Sequence, residues 1–351
     1  MVALFHLKIG AGVLPAIQHG YLFVDLFFVL SGFVIARAYA DRLRTGTELR
    51  AFPVRRWGRV FPLLFVSSVL FVVARNAAVA AKLAGAAPLW PTWSEVLTTL
   101  TLTHSMGVYR HLVLNFAGWS ISVEFWAYVL FALLCLAVPR RWRVHAWVGV
   151  AAGAFAIAVG VSLAGPRHCL AWGKCLDLTY DYGYPRCVAS FLLGAVTWKA
   201  GAGGRAWAVP VQHVALAALA GAFVMLVAMP AVAFLMPLAF AALIWSLAED
   251  RGLLSRALGG RVGAALGLRS YSIYLLHPVL LVAFWPVREQ AEGFVQNAAL
   301  VGLYLALLLL VSGWSYHWVE APARAFCNRL AAGIEAGGRR EEAMAQGPAG
   351  G

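Results

Sequence analysis

The sequence predicts an all-α protein: a polytopic membrane helix bundle of about ten transmembrane helices, with 94–106 as a candidate re-entrant segment. Three observations lead there. Hydrophobic residues make up 62% of the 351-residue chain and charged residues only 12%, against roughly half and a quarter in soluble domains. The apolar residues fall in runs close to the ~20 that cross a bilayer. Lys and Arg collect between alternate runs, as orientation in a membrane requires. This composition excludes a soluble enzyme, a secreted disulfide scaffold and a disordered chain.

Taken in order, the runs are 2–17, 21–36, 60–82, 119–138, 144–164, 184–199, 207–228, 231–248, 270–287 and 297–318. The first holds His6 and Lys8 and is short for a hydrocarbon core of about 30 Å at 1.5 Å per residue. That shortness leads to the expectation that the natural start lies upstream. Segment 94–106 is apolar but Thr-rich and too short to cross. If it makes no crossing, the inside segments are 37–59, 139–143, 199–206, 249–269 and the tail from 319, which together hold 20 of the 28 Lys and Arg. Both termini are then expected in the cytoplasm of a multi-pass cell-membrane protein. Residues 1–330 form the membrane domain, and 331–351, rich in Gly, Ala, Glu and Arg, are expected to be disordered.

The net charge of +13 is ascribed to this orientation bias and not to nucleic acid. Arg, which dominates over Lys, is also the better phosphate ligand, so both readings stay open. Of the five cysteines, Cys135 lies in an apolar run. Cys169 and Cys175 share a loop expected outside, where a bridge is permitted, and Cys187 is near enough to compete. No metal-ligand spacing occurs.

Ionisable side chains inside spans are costly and are functional candidates by default. His6 is either a catalytic or a packing histidine. Asp25, near the outer end of the second span, must find a partner or water. Arg56 and Arg59 stand three apart, on one face if the third helix begins there, and are either a polyanion clamp or an orientation anchor. Glu124 lies in the run Trp119-Ser-Ile-Ser-Val-Glu124, beside Ser122. His277 falls midway through a span, and Glu320 sits at an inner boundary, where pairing with Arg324 is the plain reading. The sequence holds no G-x-S-x-G elbow, P-loop or G-x-G-x-x-G.

In this order stand an early intramembrane His, G-x-x-x-VDLFFVLSGFVI, R-x-x-R before a Pro, W-S-x-S-V-E, Y-S-x-Y-L-x-H and E-x-P-x-R. From His6 to about Arg324 the chain resembles the integral-membrane acyltransferase 3 family, which includes O-antigen and exopolysaccharide O-acetylases. The resemblance implies transfer of an acyl group, usually acetyl, from acyl-CoA as co-substrate to a hydroxyl of a carbohydrate or lipid-linked glycan, with no permanently bound cofactor. It implies that His6 is the critical histidine, Arg56 and Arg59 the donor-binding pair, and Glu124 the acidic position. Asp25, Ser122, His277 and Glu320 would support them. Membrane lipid is the other expected partner. Chains of this family often have about ten residues before the histidine, including an Arg, and a soluble C-terminal domain; this sequence has neither.

Depth arithmetic with straight helices puts His6 about 20 Å and Asp25 about 8 Å from the turn at His19–Gly20. It therefore argues against an Asp25–His6 dyad. It places His6 in the inner half with the arginines, and Glu124 in the outer half with the acceptor. Two rival readings remain: acylation of a small metabolite such as a macrolide, and a transporter or flippase, which also buries His, Glu and Arg.

The charge pattern yields a topology test. A reporter fused after Arg143 should read cytoplasm and one fused beside Lys174 the outside. An external Arg143 fusion would turn 94–106 into a full crossing.

Overall fold

The computed structural model describes residues 1–9, 14–83, 87–164, 168–201 and 206–345, with side chains as far as Arg340. Among them the principal helices are α1 (Val2–Leu7), α2 (Phe23–Tyr39), α3 (Gly46–Ala80), α4 (Trp93–Leu100), α5 (Gly118–Ala137) and α6 (Arg143–Ala164). They continue with α7 (Gly183–Ala200), α8 (Ala208–Met225), α9 (Met236–Leu247), α10 (Arg261–Glu289), α11 (Gly293–Ser315) and α12 (Ala321–Ala345). No strand occurs among the described residues, and eight of their helices are long and apolar enough to cross a membrane. The all-α polytopic bundle is therefore present. Arg167, Arg205 and residues 10–13 and 346–351, which entered the charge and span reasoning, lie outside the described residues.

The bundle has two distinct ends. At one, Tyr21 donates to the Cys175 carbonyl (2.9 Å), and Cys169 is bridged to Cys175, leaving Cys187 free. At the other, Arg143 donates to the Ala40 carbonyl (2.6 Å), and Arg55 pairs with Glu335 (2.7 Å). Helix α2, seventeen residues or about 25 Å long, separates this arginine-rich end from the disulfide end. Arg143 and Lys174 thus occupy opposite ends.

The tightest helix contact is between α2 and α7. A Cβ built on Gly32 would lie 1.8 Å from the Phe191 carbonyl oxygen, and one on Gly194 would lie 1.9 Å from that of Val29. Only glycine lets the two backbones approach so closely, as small residues do at helix crossings in membranes. Two turns from Gly32, toward the disulfide end, the buried Asp25 carboxylate takes Arg186 at 2.6 Å and Ser190 at 3.1 Å. The same guanidinium donates to the carbonyls of Leu178 and Tyr21 (3.1 and 3.0 Å). Every charged oxygen and nitrogen is matched, which is the condition for keeping an ion pair in a low-dielectric interior. Aromatic packing of Phe131, Phe191 and Trp147 extends this core to α5 and α6.

Several expectations are corrected. The 2–17 span is absent as a continuous helix: α1 stops at Leu7, where Lys8 turns left-handed (φ 59°). Met1 lies beside Gly20, a Cβ on which would sit 3.4 Å from the Met1 carbonyl oxygen. Met1 and Glu335 of α12 therefore lie toward opposite ends of the bundle. Segment 184–199 is the helix α7, but with Arg186 and Lys199 it falls short of the apolarity of the eight. Residues 331–345, expected to be disordered, continue α12, which packs along α3 through Gly58 against Cys327 and Arg55 with Glu335. Within 94–106, α4 is only eight residues long, started by a Thr92–Glu95 capping box, or about 12 Å. The chain then turns inward to bury Leu102, so no crossing is made.

The Asp25–Arg186 pair generates a stability test. Asp25→Ala strands a buried guanidinium and should cost about 3–5 kcal/mol. Adding Arg186→Leu should recover much of that. Melting of detergent-purified variants reads both, and an unshifted Asp25→Ala midpoint would remove the clamp from this account.

Candidate functional site

Helix α3 starts at the arginine-rich end with its own cap, Thr45 accepting from the Glu48 amide. Arg56 and Arg59 are ten and thirteen residues further on, about 15 and 20 Å from its start. They are inside the bundle, not in a surface loop. Helix α5 descends from the opposite end, and Glu124 is six residues into it, about 9 Å. The two helices bring all three side chains to one pocket of about 240 Å³, shared with Ser31, Ser120, Tyr128, Tyr271 and Tyr274. The expected separation of Glu124 in an outer compartment is therefore corrected: it faces the arginines.

The two arginines are held differently. Arg59 donates to Glu320 (2.7 Å) and lies over the Tyr271 ring at 5.4 Å. Glu320 also accepts from Ser272. Its pairing is thus with Arg59 and not Arg324, and it comes from a wider π-helical turn, Tyr316–Glu320, between α11 and α12. Arg56 has no carboxylate partner among the described residues. It donates to the Tyr39 hydroxyl (3.1 Å), lies over the rings of Tyr39 and Phe52, and leaves its Nε buried and unbonded. Arg56 is the guanidinium with charge and a donor to spare. A second cavity of about 580 Å³, walled in part by Tyr39 and Phe52, carries Arg42, Arg44, Arg55 and Arg339 beside Asp41, Glu48 and Glu335.

Glu124 accepts from the Tyr128 hydroxyl (2.6 Å), which is 3.0 Å from Ser31 Oγ. At the far end of the pocket Ser120 donates to the Tyr274 hydroxyl (2.8 Å). Beyond Tyr274 come two histidines. His277 Nδ1 meets the Tyr274 carbonyl, and its Nε2 is 3.2 Å from His6 Nδ1. His6 packs on Phe5 and Phe116, and Phe5 carries the Lys174 ammonium over its ring at 5.6 Å. His6 therefore belongs to the half of the bundle nearer the disulfide end, not to the arginine half. The depth arithmetic failed because the chain does not run straight from Val2 to Ile17.

Asp25 and Ser122 lie outside this constellation. Asp25 is the partner of Arg186. Ser122 donates to the Leu102 carbonyl (2.7 Å) and accepts from the Ser105 amide (3.2 Å), pinning the inward loop after α4. Sequence reasoning missed Arg186, Tyr274, Tyr128 and Ser31. Tyr274 and Ser31 lay inside quoted motifs, whereas Arg186 had no signal beyond being a charge in an apolar run.

A family model for an acyltransferase domain matches residues 1–317. With a polytopic bundle and this site, the chain belongs to the acyltransferase 3 family of integral-membrane acyltransferases, enzymes of O-acyltransferase type. It is similar to "Protein 2 in picA locus" of Rhizobium radiobacter, 47% identical over 51 residues, a match covering 14% of this chain and 27% of that protein. No solved structure matches it significantly.

Proposed function

We propose that this acyltransferase moves an acyl group, acetyl in the simplest case, from acyl-CoA to a hydroxyl of a carbohydrate or lipid-linked glycan. The observation that supports this most is the placement of the arginine pocket and the histidine pair on opposite sides of Tyr274. A phosphate-rich donor approaching from the arginine-rich end meets Arg56 and Arg59, whose planar forks suit phosphate oxygens. The Arg42, Arg44 and Arg339 cavity gives its nucleotide a seat. The uncharged thioester arm then lies along Glu124, Ser120 and Tyr274 toward the histidines. The positive-inside rule makes that end cytoplasmic, with the cell membrane as the site of action.

The acceptor hydroxyl approaches His6 from the disulfide end. His6, neutral, takes the hydroxyl proton as the oxygen attacks the thioester carbon. The C–S bond breaks, the acceptor ester forms, and the CoA thiolate leaves with the proton returned from His6. Glu124, on the donor side, orients the arm through its carboxylate and the Tyr128–Ser31 pair.

His6→Ala should lower transfer by ~10²–10⁴-fold, the range of a lost general base, at normal membrane abundance. Mass spectrometry of envelope polysaccharide and lipid extracts, with and without the gene, identifies the acceptor. Full acylation by His6→Ala would remove the mechanism. Arg56→Lys and Arg59→Lys should each weaken donor affinity about as much as Ala does, because an ammonium lacks the fork. Unchanged affinity in both Ala variants would return the pair to an orientation role.

A further inference from the structure

Residue 278 is a proline in the middle of α10. Its missing N–H is the one that would close the helical bond to the carbonyl four residues earlier, on Tyr274. A buried carbonyl without a donor is costly, and the His277 ring fills the gap, its Nδ1 lying against the Tyr274 oxygen. A carbonyl only accepts, so His277 Nδ1 carries the proton and, in the neutral ring, Nε2 carries the lone pair. That lone pair faces His6 Nδ1 at 3.2 Å. His6 Nδ1 also faces the Val2 carbonyl at 3.0 Å. Both neighbours are acceptors, so His6 Nδ1 must be the protonated nitrogen, shared between them. The unprotonated Nε2 of His6 is then left for another donor, and no side chain or backbone group among the described residues bonds it.

We infer that His277, set by Pro278, is a positioning residue that holds His6 in the one neutral tautomer able to act as a base through Nε2. This rests on His6 being the base. The consequence for the reaction is simple. When His6 Nε2 takes the acceptor proton, the resulting imidazolium still donates from Nδ1 to the neutral His277 and to Val2. No proton has to move between the rings. The ring is also fixed in direction, because Phe5 and Phe116 pack on it while His277 fixes its edge. A second histidine suits this place better than a carboxylate. It accepts one hydrogen bond without adding a buried negative charge.

The test compares His277→Leu with His277→Gln in the full-length protein in detergent or nanodiscs, using acetyl-CoA and the acceptor identified by mass spectrometry. A glutamine carbonyl oxygen restores an acceptor toward His6 Nδ1 while removing the imidazole; leucine removes the acceptor. The expected result is a ~100-fold fall in kcat for His277→Leu, with the KM for acetyl-CoA unchanged, and recovery to within about 10-fold of wild type for His277→Gln. An unchanged KM shows that the fold and donor pocket survive, which a merely structural loss would not give. Equal loss in both variants, or activity kept in His277→Leu, overturns the inference. His6→Ala run alongside separates the two layers: an active His6→Ala removes the base itself, whereas an inactive His6→Ala with an active His277→Leu removes only the positioning role.

Discussion

The crossing of Phe23–Tyr39 with Gly183–Ala200 is the constraint on which the other placements depend. Two glycines let backbone meet backbone, and one buried ion pair fixes the register of that contact. The arrangement is self-consistent. A slide along either helix would bring a residue with a Cβ to the place where only glycine fits and separate Asp25 from Arg186. Because Arg186 also takes the carbonyls of Tyr21 and Leu178, the same pair ties the start of the second helix to the loop at the disulfide end. From this frame Ser31 is presented to Tyr128, and Tyr128 to Glu124. The Glu124 carboxylate is thus held in place by a contact made elsewhere in the bundle.

Much of the architecture was readable from periodicity and charge. The long apolar runs become helices, the Thr-rich 94–106 stretch does not cross, and Arg143 and Lys174 fall at opposite ends. The departures share a physical cause: each needed knowledge of tertiary contacts. Asp25 plainly required a partner, yet Arg186, 161 residues away, is only one of several charges that qualify. His6 was misplaced because rise arithmetic assumes one straight helix, and Lys8 in a left-handed conformation breaks it. The tail was expected to be disordered from its composition, but α12 is held by α3, where Gly58 admits Cys327 and Arg55 takes Glu335. Arg56, Arg59 and Glu124 line one pocket, a grouping the sequence did not reveal. Arg59, Glu320 and Ser272 come from three distant segments, and His6 and His277 from two.

The site is divided rather than concentrated. One guanidinium is neutralised by Glu320 and stacked on Tyr271, while the other keeps a free donor against two aromatic rings. This asymmetry suits a clamp in which Glu320 and Tyr271 hold Arg59 in position and Arg56 brings the spare donor. Tyr271, Tyr274 and His277 recur on one face of the same helix, spanning six residues or about 9 Å. That single helix carries the chain of contacts from the arginines to the histidines. A donor long enough to be gripped at one end and react at the other fits this spacing, and so does a reaction that draws its two substrates from opposite sides.

That last point is the most direct to measure. Protein reconstituted into sealed liposomes and sorted by orientation can be given radiolabelled acetyl-CoA on one face and the acceptor on the other. The account predicts label on the acceptor when acetyl-CoA is at the arginine-rich face and the acceptor at the disulfide face, and none with the two exchanged. Transfer that proceeds only with donor at the disulfide face would contradict it.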